Sequence, residues 1–303
     1  MSLEAMLPSG RVKRLEPMAR HTSFRIGGPA DYFVTPTTPE EIQIVLQWAR
    51  QRSLPWLVIG GGSNLLVRDG GIRGVVIHLG SQMKSVRLED SSRLRAQAGI
   101  RLSELAKTAL QHNLTGLEFA EGIPGTLGGG VFMNAGAYGG EIGPLLVNLV
   151  ILTPDGEVVE QPASGFQFGY RSSSFQDNGC LVLEATLQLE PGDPAQIRER
   201  MRGYGQSRKE KQPLEYPSAG STFRRPQGRF VGPMIEELGL KGLRVGDAEV
   251  SVKHAGFIVN RGHATACDVL ELIKTVQDRV RAAYGVELHP EYRIVGENQV
   301  NEA

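Results

Sequence analysis

Cysteine is scarce, with two in 303 residues. Cys180 and Cys267 fit neither a disulfide framework nor a metal-binding spacing. Both sit among apolar residues and read as buried filler, and no metal site is expected. An excess of one charge is missing too: 33 Lys and Arg balance 33 Asp and Glu. That balance argues against nucleic acid or another polyanion as the main partner, and leaves room for a local basic site on a small anion. No apolar run approaches the length of a membrane span. Residues 1–10 lack the apolar core of a signal peptide. The expectation is a soluble protein of a reducing, cytoplasmic compartment, with no membrane partner. Also missing is the Gly-x-Gly-x-x-Gly turn that opens a helix in the common dinucleotide fold. What the chain does have is glycine, 38 of them, many in clusters, and length enough for two or three domains.

The first cluster ends a short apolar strand at residues 56–59. Gly60, Gly61 and Gly62 follow, then Ser63, Asn64 and a second apolar run at 65–67, broken by Asp69, Gly70 and Gly71. Three consecutive glycines cost conformational entropy on folding. They make sense where backbone comes very close to something, or aims several N–H groups at one point. Such a nest binds anions, a diphosphate being the usual occupant; a tight turn between strands is the alternative. The second cluster spans residues 116–143 and contains Gly122, Ile123, Pro124, Gly125, Gly128, Asn134, Gly136, Ala137 and Tyr138. Leu117, Phe119, Leu127, Val131 and Phe132 are interleaved with it, anchors that flexible linkers lack. An ordered loop and short helix that present backbone to a flat ligand are expected, with plain packing as the alternative. Together the clusters suit one extended ligand with a diphosphate and a ring. A flavin dinucleotide fits better than a nicotinamide one, given the missing fingerprint.

Around these loops the pattern alternates. Thr38-Pro39-Glu40-Glu41 is a helix start, and residues 1–80 read strand, helix, strand, loop, strand. Strands are expected within 84–99, at 148–153, 157–161 and 181–189, and helices at 102–112 and 195–209. Pro191-Gly192-Asp193-Pro194 marks a domain boundary. Further on, 231–238 reads as a helix and 255–260 as a strand. Residues 264–284 form the longest helical pattern, with Cys267, Leu270, Ile273, Val276, Val280 and Ala283 as its apolar stripe and Gly285 as its stop. Residues 286–295 read as a last strand carrying Glu291 and Arg293 on one face.

Residues 21–31, 60–67, 121–138, Tyr170-Arg171, 219–226, 239–246, 253–260 and 288–296 resemble, in order, the segments of the UDP-N-acetylenolpyruvoylglucosamine reductase family, in its shorter, type II branch. The resemblance implies an α+β fold. A two-subdomain FAD-binding module of the vanillyl-alcohol-oxidase (PCMH-like) kind would span 1–83 and 84–194. An α+β substrate domain would span 195–303, with 286–303 returning toward the flavin. The implied activity is that of a flavoenzyme of peptidoglycan precursor synthesis. NADPH reduces FAD, flavin N5 passes hydride to the enolpyruvyl double bond of a UDP-sugar, and a serine supplies the proton. Ser221 matches the proton donor, and Arg171 and Glu291 the other two catalytic positions. Tyr170 and Lys211 match substrate-binding positions, and Arg208 and Arg293 match basic residues beside the flavin. The two glycine clusters, with Ser63 and Asn64, match the cofactor-binding segments. Arg225 stands where the family commonly has asparagine, and is expected to grip a substrate phosphate instead. The neutral charge and intact three-part chain allow a monomer.

Two other readings compete. An oxidase of a small alcohol on the same FAD module would tether its flavin, with His21 or His78 as the candidate, but leaves Ser221 and Glu291 without a role. A nucleotide-binding regulatory module predicts no turnover.

Overall fold

Helix α1, Pro39–Arg50, begins as its start signal predicts: the Thr38 hydroxyl accepts the Glu41 amide at 3.3 Å. The structure, a computed structural model, describes residues 1–299. It divides into two units. The first comprises Met1–Lys13, Tyr32–Gly61 and Gly74–Ser207; the second comprises Arg14–Asp31, Gly62–Arg73 and Arg208–Ala303, described here as far as residue 299.

The first unit holds two sheets, each with its own core. A four-stranded sheet runs in the order Val12–Pro17, Pro29–Val34, Ile72–His78, Trp56–Ile59. Three of these strands continue along the chain into the second unit. Trp56–Ile59 lies parallel to Ile72–His78, with Ile59 opposite His78. Helix α1 buries Ile42, Val45, Leu46 and Trp48 in a core with Ile77 and Leu79. A five-stranded antiparallel sheet runs Val158–Pro162, Leu146–Leu152, Leu181–Gln188, Arg93–Gln97, Val86–Leu88. Its inner face packs with helices α2, Leu102–Gln111, and α3, Leu127–Phe132, around Leu105, Leu127, Val131 and Leu149. Helix α4, Pro194–Lys211, contributes Ile197 and Met201 to that core.

The second unit packs helices α5, Val231–Glu237, and α6, Ala266–Tyr284, with a three-stranded antiparallel sheet, Arg244–Val245, Ala248–Val250 and Ile258–Asn260. Val269, Leu272, Ile273, Val276 and Val280 of α6 are buried. Burying each such side chain stabilises by roughly 1.5–3 kcal/mol relative to exposure. A Thr265–Asp268 capping box opens α6, and Gly285 closes it with φ 65°. A parallel pair, Leu65–Val67 with Arg293–Val295, joins the end of the glycine loop to the C-terminal segment.

Four expectations need correction. Cys267 is exposed and Cys180 partly exposed, so neither is buried filler. The buried stripe of α6 is rotated toward Val269 and Leu272, leaving Cys267 and Ala283 at the surface. Within the expected last strand, only Arg293–Val295 forms a strand and Pro290 makes an isolated bridge, so Glu291 lies outside it; residues 300–303 of that segment fall outside the described residues. Val12–Pro17 is a strand ahead of those expected in residues 1–80.

Candidate active site

In the second unit, the segment of Ser221 is held on both edges. On one side Ser221 bridges Phe257, and the Thr222 amide donates to the Gly256 carbonyl at 2.8 Å. On the other, Phe223 bridges Pro290, the Glu291 amide donates to the Thr222 carbonyl at 2.8 Å, and the Arg224 amide donates to the His289 carbonyl at 2.9 Å. The Thr222 hydroxyl also accepts the Ile258 amide at 3.0 Å. Ser221 and Glu291 are thus brought to adjacent backbone, each partly exposed. Asn64 reaches the same place: its carbonyl accepts the Arg293 amide at 3.0 Å, and its side-chain amide donates to the Glu291 carbonyl at 3.5 Å. The Gly62 carbonyl accepts the Ser23 amide, and the Ser23 hydroxyl donates to the Ser218 carbonyl at 2.6 Å. This half of the glycine loop therefore neighbours the segments of Ser221 and Glu291 through backbone. Ser63 is partly exposed, Arg208 is buried, and Lys211 is exposed at the end of α4. The Arg225 guanidinium lies 3.7 Å over the exposed Phe230 ring.

His254 reaches this region through Gly256. Its Nδ1 accepts the Gly256 amide at 3.1 Å, which requires the neutral ring. Burial lowers its pKa, with Lys241 acting in the same direction, while its backbone hydrogen bond and Glu236 oppose them.

In the first unit, the two glycine clusters meet. A methyl group on Gly60 would stand 2.1 Å from Thr126 Oγ1, and one on Gly61 would stand 3.1 Å from the Gly125 Cα. Any residue but glycine at position 60 would collide with that hydroxyl. Gly122, Ile123, Pro124, Gly125 and Gly128 lead into and begin α3. Gly136–Ala137 pairs with Gly140–Glu141, and Tyr138 caps the turn between them, its ring stacked on Tyr204 at 4.2 Å. The short Phe168–Gly169 and Ser172–Ser173 strands pair, with Tyr170 and Arg171 at their turn. Arg171 donates to the Gly136 carbonyl at 3.0 Å and lies 5.1 Å from the Tyr170 ring. Asn134, Tyr138 and Arg171 all have left-handed backbones, with φ of 42°, 52° and 53°. Such conformations cost of order 1–3 kcal/mol each and persist where surroundings hold them.

Residues 212–295 match the family described as UDP-N-acetylenolpyruvoylglucosamine reductase, C-terminal domain, and residues 30–161 match the FAD binding domain. A UDP-N-acetylenolpyruvoylglucosamine reductase of Syntrophomonas wolfei is 52% identical over 291 residues, 96% of this chain and 97% of that protein. The chain belongs to the UDP-N-acetylenolpyruvoylglucosamine reductase family. Another such reductase, of Clostridium tetani, is 50% identical over 97% of this chain and 95% of its own length. The solved UDP-N-acetylenolpyruvylglucosamine reductase of Thermus caldophilus superposes with a TM-score of 0.81 at 37% identity, covering 94% of this chain and 98% of that one. The fold is α+β with an FAD-binding domain of this reductase family.

The residues present fit an FAD. Thr126 Oγ1 and Glu121 Oε2 are buried and make no hydrogen bond among the described residues. They sit in the second glycine cluster, with Thr126 against Gly60, so the loops offer backbone at close approach together with buried polar atoms for a polar ligand to meet. Sequence reading did not single out Thr126 or Glu121. The available signal was a hydroxyl and a carboxylate placed between the glycines of the second cluster. His254 was missed as well, because its contact with Gly256 is made by a local turn that carries no pattern of its own.

Proposed function

We propose that the chain reduces the enolpyruvyl double bond of UDP-N-acetylenolpyruvoylglucosamine to give UDP-N-acetylmuramate, with NADPH as reductant, for peptidoglycan precursor synthesis in the cytoplasm. Family membership over nearly the whole chain supports the reaction class. The observation that carries the site is the backbone clamp that sets Ser221 beside Glu291. When bound, FAD supplies the hydride it has received from NADPH.

The chain's own residues handle charge and the proton. Hydride addition at the β carbon builds negative charge on the enolate of the substrate carboxylate. Arg171 pairs with that carboxylate and meets the charge as it grows. Ser221 Oγ gives the proton to the α carbon. A serine hydroxyl is a weak acid, so its value lies in position. Glu291 polarises the intermediate, which requires it to be protonated or hydrogen-bonded. Tyr170 and Lys211 bind the UDP-sugar, the lysine as a point charge suited to diphosphate. Arg225 takes a phosphate in place of the family asparagine. Gly60, Gly61, Gly62, Ser63, Asn64 and the second cluster hold the cofactor, and Arg208 and Arg293 place positive charge near its ring.

The test is an anaerobic stopped-flow experiment on the yellow protein. NADPH should bleach the flavin band, and the UDP-sugar should restore it without oxygen. Recovery with air alone would favour the small-molecule oxidase and overturn the reductase reading.

A further inference from the structure

We infer that Asn134 is a positioning residue for Arg171, locking together the two hairpins that carry and receive its guanidinium. The inference rests on the role proposed above for Arg171. Asn134 follows α3 and is 1% exposed. Its Nδ2 donates to Glu141 Oε2 at 2.9 Å and to the Gly169 carbonyl at 3.0 Å, and its Oδ1 accepts the Gly143 amide at 2.8 Å. Both amide protons and the carbonyl oxygen are committed to protein groups. The side chain therefore contributes to the site through its neighbours.

Those neighbours close a ring. Gly169 immediately precedes Tyr170 and Arg171. Arg171 donates across to the Gly136 carbonyl at 3.0 Å. Gly136 is the strand partner of Glu141, and Glu141 returns to Asn134. Each step is a hydrogen bond, a strand pairing or the chain itself, so the Arg171 side chain is fixed at both its base and its tip. Two ring residues, Asn134 and Arg171, have left-handed backbones, which asparagine tolerates better than arginine does. The requirement is for an amide: two donors meet a carboxylate and a carbonyl, while one acceptor meets an N–H. Aspartate would turn acceptor against acceptor. The turn is also tied to the end of α3 without Asn134. Ser173 Oγ and Gln176 Nε2 both donate to the Phe132 carbonyl, and Gln176 also donates to the Arg171 carbonyl. Loss of Asn134 should then loosen Arg171 without unfolding the unit.

The test is a double-mutant cycle in the flavin-loaded enzyme, with Asn134→Ala, Arg171→Ala and the pair. Reoxidation by the UDP-sugar should fall about tenfold further in Asn134→Ala than flavin reduction by NADPH does, and the pair should be within about twofold of Arg171→Ala alone. Amide hydrogen exchange at Gly143 should also quicken in Asn134→Ala, since its acceptor is gone. Losses that multiply in the pair, or that strike both half-reactions equally, would overturn the positioning role. If Asn134→Ala fails to fold, Glu141→Ala removes one acceptor of the same ring, and the same split and the same non-additivity with Arg171→Ala are expected. A wild-type enzyme that the UDP-sugar does not reoxidise would sink the proposed function instead. Faster exchange at Gly143 would then still uphold the lock, and unchanged exchange would overturn it.

Discussion

The amide of Glu291 donates to the carbonyl of Thr222 at 2.8 Å, a backbone hydrogen bond between the residue after the proposed proton donor, Ser221, and the residue of the proposed carboxyl group. Neither bond edge of the Ser221 segment uses the serine hydroxyl. The hydroxyl can therefore be deleted while its scaffold stays. Ser221→Ala is expected to bind flavin and to be bleached by NADPH, yet to lose about 10²–10⁴-fold in the rate of reoxidation by substrate. Single-turnover kinetics would read this directly. An unchanged rate would remove Ser221 from the reaction.

Asp69 caps α6 from outside the helix. Its carboxylate accepts the Ala266 amide at 2.8 Å and the Cys267 amide at 2.9 Å. These are first-turn donors that the helix itself cannot satisfy, at its positive end. Asp69 follows the strand that pairs with Arg293–Val295, so the cap also braces the C-terminal segment. Asp69→Ala should destabilise by about 1–2 kcal/mol, read as a shift of the urea midpoint. A midpoint equal to wild type would mean that the local capping box suffices.

The neutral His254 predicts a pH dependence. Burial, first, and Lys241 lower its native pKa, against Glu236 and its backbone hydrogen bond. The unfolded histidine titrates near about 6.5. Below that pH, and down to the lower native value, the unfolded chain binds more protons than the folded one, so stability falls as the solution becomes more acidic. Protonation would also remove the acceptor for the Gly256 amide, whose carbonyl receives Thr222 beside Ser221. His254→Asn keeps an acceptor and cannot titrate. Its urea midpoint should fall less steeply than that of wild type as pH drops below about 6.5. Parallel profiles would count against the histidine.

How much of this was legible depended on whether the cause was local. Thr38 before Pro39 and Gly285 after Tyr284 are signals read within one helical turn, and both helix ends appeared where expected. The rotation of the α6 stripe was not legible. Two overlapping apolar stripes share Ile273, Val276 and Val280, and the surrounding core chose between them at Val269 and Leu272. The short final strand was misjudged for a similar reason. Its pairing with Leu65–Val67 is non-local, and residues 289–291 are instead spent on contacts with the Ser221 segment. For the candidate site, glycine clusters announced close backbone approach. The commitments of Asn134 to Glu141, Gly143 and Gly169 were invisible, because an isolated asparagine in a glycine-rich stretch looks the same whether it faces a ligand or a carbonyl.

Thr126 gives the sharpest test of the cofactor loops. Its hydroxyl is buried, makes no hydrogen bond among the described residues, and lies where a Gly60 side chain would have to be. A buried hydroxyl without a partner carries a desolvation cost that a polar ligand can relieve. Thr126→Val keeps the shape and deletes the donor, and should raise the FAD dissociation constant about tenfold, close to 1.4 kcal/mol. Thr126→Ser keeps the donor and should stay within about twofold of wild type by the same reasoning. Quenching of flavin fluorescence on titration into the stripped protein measures both. Weakening in Thr126→Ser but not in Thr126→Val would point to the lost methyl packing, and no weakening in Thr126→Val would show that the hydroxyl does not meet the cofactor.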